Sequence, residues 1–412
     1  SLPSTRAYPR RELTLDESSP SMTEGEETCP EVRLFIRDQT DISQLLQKKK
    51  EALVRLTITG SKTKVVGVTG LGFWGKNEGA FAGCDSIRDL LIEGDDVEVI
   101  GDWAFYSCHS LRSVTLPRAL CTISQGAFYD ASLLESIDLS NTNVITIGKQ
   151  AFCGCSKLRE ILFPTCLDEI SYQSFKSTSL GSISLPSSVT KIGEGAFSST
   201  SSLTAITINT FDIRAETFAD CRNLYNVTIS PFTKTIGNRA FQDCALINID
   251  LSQHRSITEI GMEAFGGCSK LTEFKFPPEL SSMGASPLLE AISLEKVWMS
   301  AATAALIPFD TFADCGDKIR TFHIYDQDTI HFSDFCDDND SCRGTNNFVS
   351  SKILLAAAAA KLLPYENFPP EMVGEILSFL KKRDFGKLYK LFVLSGFKFK
   401  RRRTSSSTDF LT

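Results

Sequence analysis

Gly70-Leu-Gly72-Phe-Trp-Gly75 has the G-x-G-x-x-G spacing of a dinucleotide loop and follows the strand-like KVVGVT. The overlapping Gly70 to Asn77 nearly matches the phosphate loop G-x-x-x-x-G-K-[ST]. In both, backbone N–H groups at a helix start would cradle phosphate oxygens. The chemistry fails in both. Asn77 has no hydroxyl for Mg²⁺, and the GAFAGC that follows opens a repeated unit in place of a long helix. Of the four histidines, His109, His254, His323 and His331, none has a nucleophile and a carboxylate at matching places in neighbouring units, so no catalytic set is expected. Asp337, Asn339 and Ser341 mimic the start of a Ca²⁺ loop, but Cys342 stands where glycine is needed and no glutamate closes it. His331, Cys336 and Cys342 lack zinc spacing. No metal and no cofactor are expected.

The residue types that recur with real regularity are phenylalanine and cysteine. Phe81, Phe105, Phe128, Phe152, Phe175, Phe197, Phe218, Phe241 and Phe265 follow one another at steps of 21 to 24 residues. Phe312 then comes after 47, two steps with a degraded unit between. Each copy carries an L-x-x-I-x-L-type strand, as in TIGKQAFCGCSKLREILFP from Thr146 to Pro164. A period in the twenties with that strand is the signature of a leucine-rich-repeat solenoid: short parallel strands on the concave face, turns and short strands on the convex side. Seven of the thirteen cysteines (Cys84, Cys108, Cys155, Cys221, Cys244, Cys268, Cys315) lie three residues after a unit's phenylalanine, or its equivalent. Ala131, Thr178 and Thr200 take that place elsewhere. Such a position wants a small, half-apolar side chain, so a ladder of reduced, buried thiols is expected over disulfides, in a reducing compartment.

Eleven strands are expected, from Ile87–Ile92 to Ile319–Ile324, five of them stopped at or near Pro117, Pro164, Pro186, Pro231 and Pro277, because proline cannot extend a ladder. On the other side of each unit, I-G-x-x-A-F is read as a tight turn permitted by glycine, as at Gly101 and Gly193. The whole sentence resembles the BspA-type leucine-rich repeats, in which I-G-x-x-A-F-x-x-C-x-x-L-x-x-I-x-I-P recurs, from roughly Val97 to Ile324. The resemblance implies recognition and adhesion in place of catalysis, with bacterial and protist members often displayed on cell surfaces.

The resulting division is residues 1–31 disordered and acidic, 32–60 an N-terminal cap with a helix from Asp41 and a strand at Leu56 and Ile58, and 61–330 a solenoid of about 11 units. Residues 331–350 form an acidic linker, 351–400 a helical C-terminal cap, and 401–412 a basic, serine-rich tail. Within the cap, FPPEMVGEILSFLKKRDFGKLYKLFVLSGFKFK resembles an F-box through Pro370, Glu371, Ile376, Leu377, Leu380, Asp384 and Leu388. That resemblance implies a face for the adaptor of a cullin-type ubiquitin ligase, with the repeats choosing substrate. The alternative is two amphipathic helices that finish the cap. The run Lys398, Lys400, Arg401, Arg402 and Arg403 is suited to nuclear import or a phosphate surface.

Hydrophobic content of 42%, charged content of 23% and a formal charge of −7 are ordinary. No apolar run approaches the roughly 18 residues of a membrane span. SLPSTRAYPRREL has no secretory core, so an intracellular (cytoplasmic or nuclear) protein is expected. Surface display is the alternative, because the chain opens on Ser and an upstream segment is compatible with that; glycan on Asn226 or Asn339 would favour it.

Function then falls to the outward residues of the concave strands. Their middle is small and polar, with no basic stripe for nucleic acid. At the C-terminal end Glu273/Lys275, Lys296/Trp298 and Thr321/His323 occupy matching offsets, which predicts Lys275, Trp298 and His323 side by side. An exposed tryptophan flanked by cations is a typical anchor for a protein partner; the alternative is that Trp298 covers a packing defect beside the degraded unit.

Overall fold

In a computed structural model the described residues are 97–304 without interruption, 81–93, and shorter pieces at 15–16, 31–35, 55–59, 65–66, 79, 306–308, 311–312, 314–315, 319, 321–324 and 330–331. They form a parallel β-solenoid of about nine turns.

Each turn contributes one strand to a first sheet and a two-residue strand to a second. First-sheet strands such as Glu160–Leu162, Asn226–Ile229 and Lys296–Met299 are shorter than the sequence predicts, because the leading leucine and the residue after it stand outside the ladder. The expected strand at 180–185 is reduced to one bridge, Ser182 to Ala205. Second-sheet strands, among them Thr122–Ile123, Thr146–Ile147 and Glu169–Ile170, each bury one isoleucine and pair in register with the next turn. Proline's role shows in the connection between the sheets. The carbonyls of Pro117, Pro164 and Pro186 accept from the N–H groups of Leu120, Leu167 and Val189, which turns the chain from first strand to second.

The phenylalanines stack inside. From Phe81 to Phe265 eight successive ring pairs have centroids 5.0 to 5.7 Å apart and planes within 9°. All nine rings are fully buried. In the degraded unit Leu288 takes the aromatic place, also fully buried, and Cys315 Sγ donates to its carbonyl at 3.0 Å.

The turn carrying the phenylalanine is itself a hydrogen-bonded edge. The N–H groups of Gln150, Phe152 and Gly154 donate to Tyr172, Ser174 and Lys176 of the following turn, at 2.8, 2.8 and 2.9 Å. Other turns repeat the trio. To aim every second N–H the same way, the residues two before and two after the ring adopt left-handed backbone: Trp103 and Ser107 (φ 56° and 53°), Gln150 and Gly154 (55° and 78°), Glu216 and Asp220 (55° and 60°). Most are not glycine, at a cost of about 1–2 kcal/mol each that the inter-turn bonds offset.

This corrects the reading of I-G-x-x-A-F. The left-handed site comes three residues after the isoleucine. The glycine serves close approach instead: a Cβ on Gly193 would lie 2.4 Å from Tyr172 N, and one on Gly237 2.6 Å from Ala215 N. Ser124, Ser171 and Arg214 hold that place in other turns, so the need belongs to particular pairs of turns.

The cysteine column is more than filler. The thiols of Cys108, Cys155, Cys221, Cys244 and Cys268 each donate to the carbonyl of the preceding turn's phenylalanine, at 3.1–3.2 Å. Thr200 Oγ1 does the same to Phe175 at 3.2 Å. Burial pushes the Cys221, Cys268 and Cys315 thiols up to about 12.

At the N-terminal end Glu31–Phe35 and Arg55–Thr59 extend the first sheet in parallel register with Asp89–Glu93, and Val65–Val66 joins the second sheet. Within the segment expected to be disordered, Leu15–Asp16 pairs antiparallel with Arg33–Leu34. The helix among the described residues is Ala301–Ala304, so the solenoid is met at this end by strands. The helix expected from Asp41 and the helical C-terminal cap lie outside the described residues.

Phe152→Ala should cost about 3–5 kcal/mol in urea unfolding, since it leaves a ring-sized hole between two stacked neighbours. Alkylation of the native chain at mildly alkaline pH should modify exposed Cys166 and spare Cys221, Cys268 and Cys315, whose thiols stay protonated; peptide mass mapping reads this directly.

Candidate functional site

Three consecutive first-sheet strands, Glu273–Lys275, Lys296–Met299 and Thr321–Ile324, bring the C-terminal set together. Their pairing puts Glu273 beside Lys296 and Lys296 beside Thr321, with Lys275, Trp298 and His323 in the parallel row two residues on. Phe274 and Val297, between the rows, are fully buried, so the alternation turns Glu273, Lys275, Lys296 and Trp298 outward. The Trp298 and His323 rings stack with centroids 4.3 Å apart and planes 12° apart. Lys275 Nζ lies 5.3 Å from the indole centroid. The indole is therefore held between an imidazole and an ammonium.

Sequence reasoning missed the residue that fixes the lysine. Asp250, in register with Lys275 one turn earlier, accepts from its Nζ at 2.8 Å, and Glu273 Oε1 lies 3.5 Å away. Hydrogen bonding to Asp250 holds the Lys275 ammonium above its usual value. Desolvation pushes the Asp250 carboxyl up, but bonds from Lys275 and Ser252 outweigh it and leave the carboxyl below the carboxylate norm. The signal was available, since Asn248/Asp250 had the same offset. Lys296, by contrast, is exposed and makes no ion pair among the described residues. Towards the middle the outward residues are exposed and small or amide-bearing: Ser182, Ser184, Thr207, Asn226, Thr228 and Asn248.

The described histidines have structural surroundings. His254 Nε2 donates to the Ile229 carbonyl at 3.1 Å. His109 bridges two turns, with Nδ1 2.8 Å from Asp85 Oδ1 and Nε2 3.3 Å from Asp130 Oδ2. Among the described residues no group of three or more His, Cys, Asp or Glu side chains could hold a metal ion, and no helix is long and apolar enough to cross a membrane. The glycine-rich stretch at 70–77, the Ca²⁺-like stretch at 337–342 and the F-box-like residues Pro370, Glu371, Ile376, Leu377 and Leu380 lie outside the described residues.

Comparison with known proteins gives one family. The profile described as "BspA type Leucine rich repeat region (6 copies)" matches residues 77–204 and 190–318, more than half of the chain. No curated protein matches. Among solved structures, a leucine rich cell surface protein from Faecalibacterium prausnitzii A2-165 is 21% identical over 71% of this chain and 83% of its own, with a TM-score of 0.43. A leucine-rich repeat protein from Bacteroides ovatus is 20% identical over 77% and 99%, with a TM-score of 0.45. The leucine rich repeat protein of T. pallidum is 19% identical over 58% and 83%, with a TM-score of 0.31.

The hydrogen bond to Asp85, with that to Asp130 and both charges, outweighs desolvation and raises the His109 pKa. Its bridge should therefore stabilise the N-terminal turns fully below the ordinary histidine value of 6.5 and fade as pH climbs through the higher folded value. Melting the wild type beside His109→Gln should show a gap on the acid side that closes on the alkaline side; the gap should be small, because all three side chains are half-exposed.

Proposed function

The chain belongs to the BspA-type leucine-rich-repeat family, and from that premise we propose that it is a non-enzymatic scaffold that docks a protein partner on the concave first sheet, at its C-terminal end. The observation that carries this reading is the row Asp250, Lys275, Trp298 and His323, in register and turned outward. A tryptophan fixed on both faces has already lost its rotamer freedom, so contact with its edge costs little ordering. Lys296, exposed beside Trp298, supplies a charge for orientation, and Glu273 and Thr321 flank it. The small polar middle of the sheet accommodates the remainder of the partner without demanding charge.

The F-box-like pattern at 368–400 supports a second reading, that the same scaffold presents its cargo to a ubiquitin-ligase adaptor. Co-purification of that adaptor, lost on substitution of Glu371 and Leu380, tests this reading separately; no adaptor in the pull-down would remove it.

A photocrosslinking amino acid at Lys296 should trap the partner, and one at Thr235 in the second sheet should not. Against the trapped protein, Trp298→Ala should weaken binding by about 2 kcal/mol, roughly thirtyfold, with the unfolding midpoint unchanged. Wild-type affinity in that variant rejects the site.

A further inference from the structure

We infer that the solenoid contains one built hinge, between the turn that carries Phe197 and the turn that carries Phe218, with the phenylalanine edge as its pin. In the second sheet consecutive strands pair from Val65–Val66 to Lys191–Ile192, and again from Asp212–Ile213 to Ser282–Met283. Nothing pairs Lys191–Ile192 with Asp212–Ile213. In the first sheet the segment that precedes Phe197 and the strand that precedes Phe218 are joined by one bridge, Ser182 to Ala205, with the Thr204 N–H and hydroxyl donating to the Gly181 carbonyl at 3.2 and 3.3 Å.

Other interruptions are one-sided. The first sheet also breaks between Ser113–Thr115 and Ser136–Asp138, after Glu160–Leu162, and between Asn226–Ile229 and Asn248–Asp250. At each of those the second sheet is intact: Thr122 pairs with Thr146, Glu169 with Lys191, and Thr235 with Glu259. Among the described turns, only the pair around Phe197 and Phe218 has neither sheet laddered.

What joins them is the third edge. Gly195, Phe197 and Ser199 donate N–H bonds to Ala215, Thr217 and Ala219 at 3.0, 2.9 and 2.7 Å. The Cys221 thiol donates to the Phe197 carbonyl at 3.2 Å. The two rings stand 5.7 Å apart, the widest spacing in the stack, and the step of 21 residues is the shortest.

The interior is also altered here. Thr217 is buried where the turns on either side bury Ala196 and Ala240, and Thr210 is buried where the preceding turn has Val189 and the following turn Thr233. Their hydroxyls donate to Asp212 and Arg214 of their own turn, so those bonds add nothing between turns. Arg214 stands where Gly193 and Gly237 let backbones touch. Phe211, on the open edge, is 58% exposed.

One edge bonded along its length, one held by a single bridge and one unpaired define a rotation about the bonded edge. That rotation changes the splay of the first sheet between residue 184 and residue 205, and so the curvature offered to anything lying along it. The hinge needs no partner to exist, and its test stands apart from the test of Trp298.

Hydrogen exchange on the whole chain, read residue by residue, decides it. The amides of Lys234 and Gly237 donate to the preceding turn at 2.7 Å each; their counterparts Phe211 and Arg214 lack that ladder. Phe211 and Arg214 should exchange at least about tenfold faster. Equal protection overturns the hinge. Phe197→Ala should divide urea unfolding into two steps, one for each side, whereas Phe152→Ala should lower a single shared transition. Unfolding of the Phe197→Ala protein in one step also overturns it, and if that variant does not fold, exchange in the wild type stands as the decision.

Discussion

The fold depends on making every edge of a turn advance by a compatible step. Hydrogen-bonded strands advance by about 4.8 Å per turn. The phenylalanine rings, nearly parallel from turn to turn, advance by 5.0 to 5.7 Å, an offset-stacking distance that rings tolerate and ladders do not. The excess over the strand step is taken up by sideways offset between nearly parallel rings, so column and ladders keep one common rise per turn. The left-handed residues flanking each ring keep the turn edge hydrogen-bonded beside it.

The same constraint decides where chemistry can lie. The core is filled by one aromatic or leucine, one small side chain and a few aliphatic ones per turn, and the family and its fold are typically non-enzymatic. What varies freely is the outward face of each strand, one pair of side chains per turn. On that face Asp250, Lys275, Trp298 and His323 are coupled in a line, each held by the one before it. Lys275 is spoken for by two carboxylates, whereas Lys296, in register beside Glu273 and Thr321, makes no ion pair among the described residues.

The phenylalanine spacing made the column legible, and the strand offsets made the Lys275–Trp298–His323 row legible, because both are regular in sequence. What escaped had no residue type to betray it. The left-handed sites hold Trp103, Gln150, Glu216 and Arg239 as readily as glycine, since the backbone bonds on either side carry the requirement. Cysteine, alanine and threonine at one position suggested size alone. Cysteine and threonine share a hydrogen-bond donor, which mattered only once the carbonyl of the preceding phenylalanine was in place. Glycine after isoleucine was read for its own backbone freedom, whereas its use lies in the neighbouring turn. A sequence read one turn at a time does not show contacts between turns.

Those contacts also explain why weakness can be local. In a solenoid, stability is close to a sum of each turn's own term and its contacts with nearest neighbours, so a poor pair is not rescued by good pairs elsewhere. Three edges normally share the load. At Phe197 and Phe218 two of them are nearly silent, and the interior offers Thr217 where the turns on either side offer alanine. Residues 205 to 299 can then move as one body against the earlier turns while each body stays fully laddered on at least one sheet. A concave surface built this way adjusts at one place and stays rigid at the C-terminal row. Adaptability and a preset anchor can thus coexist in one array because they are assigned to different pairs of turns.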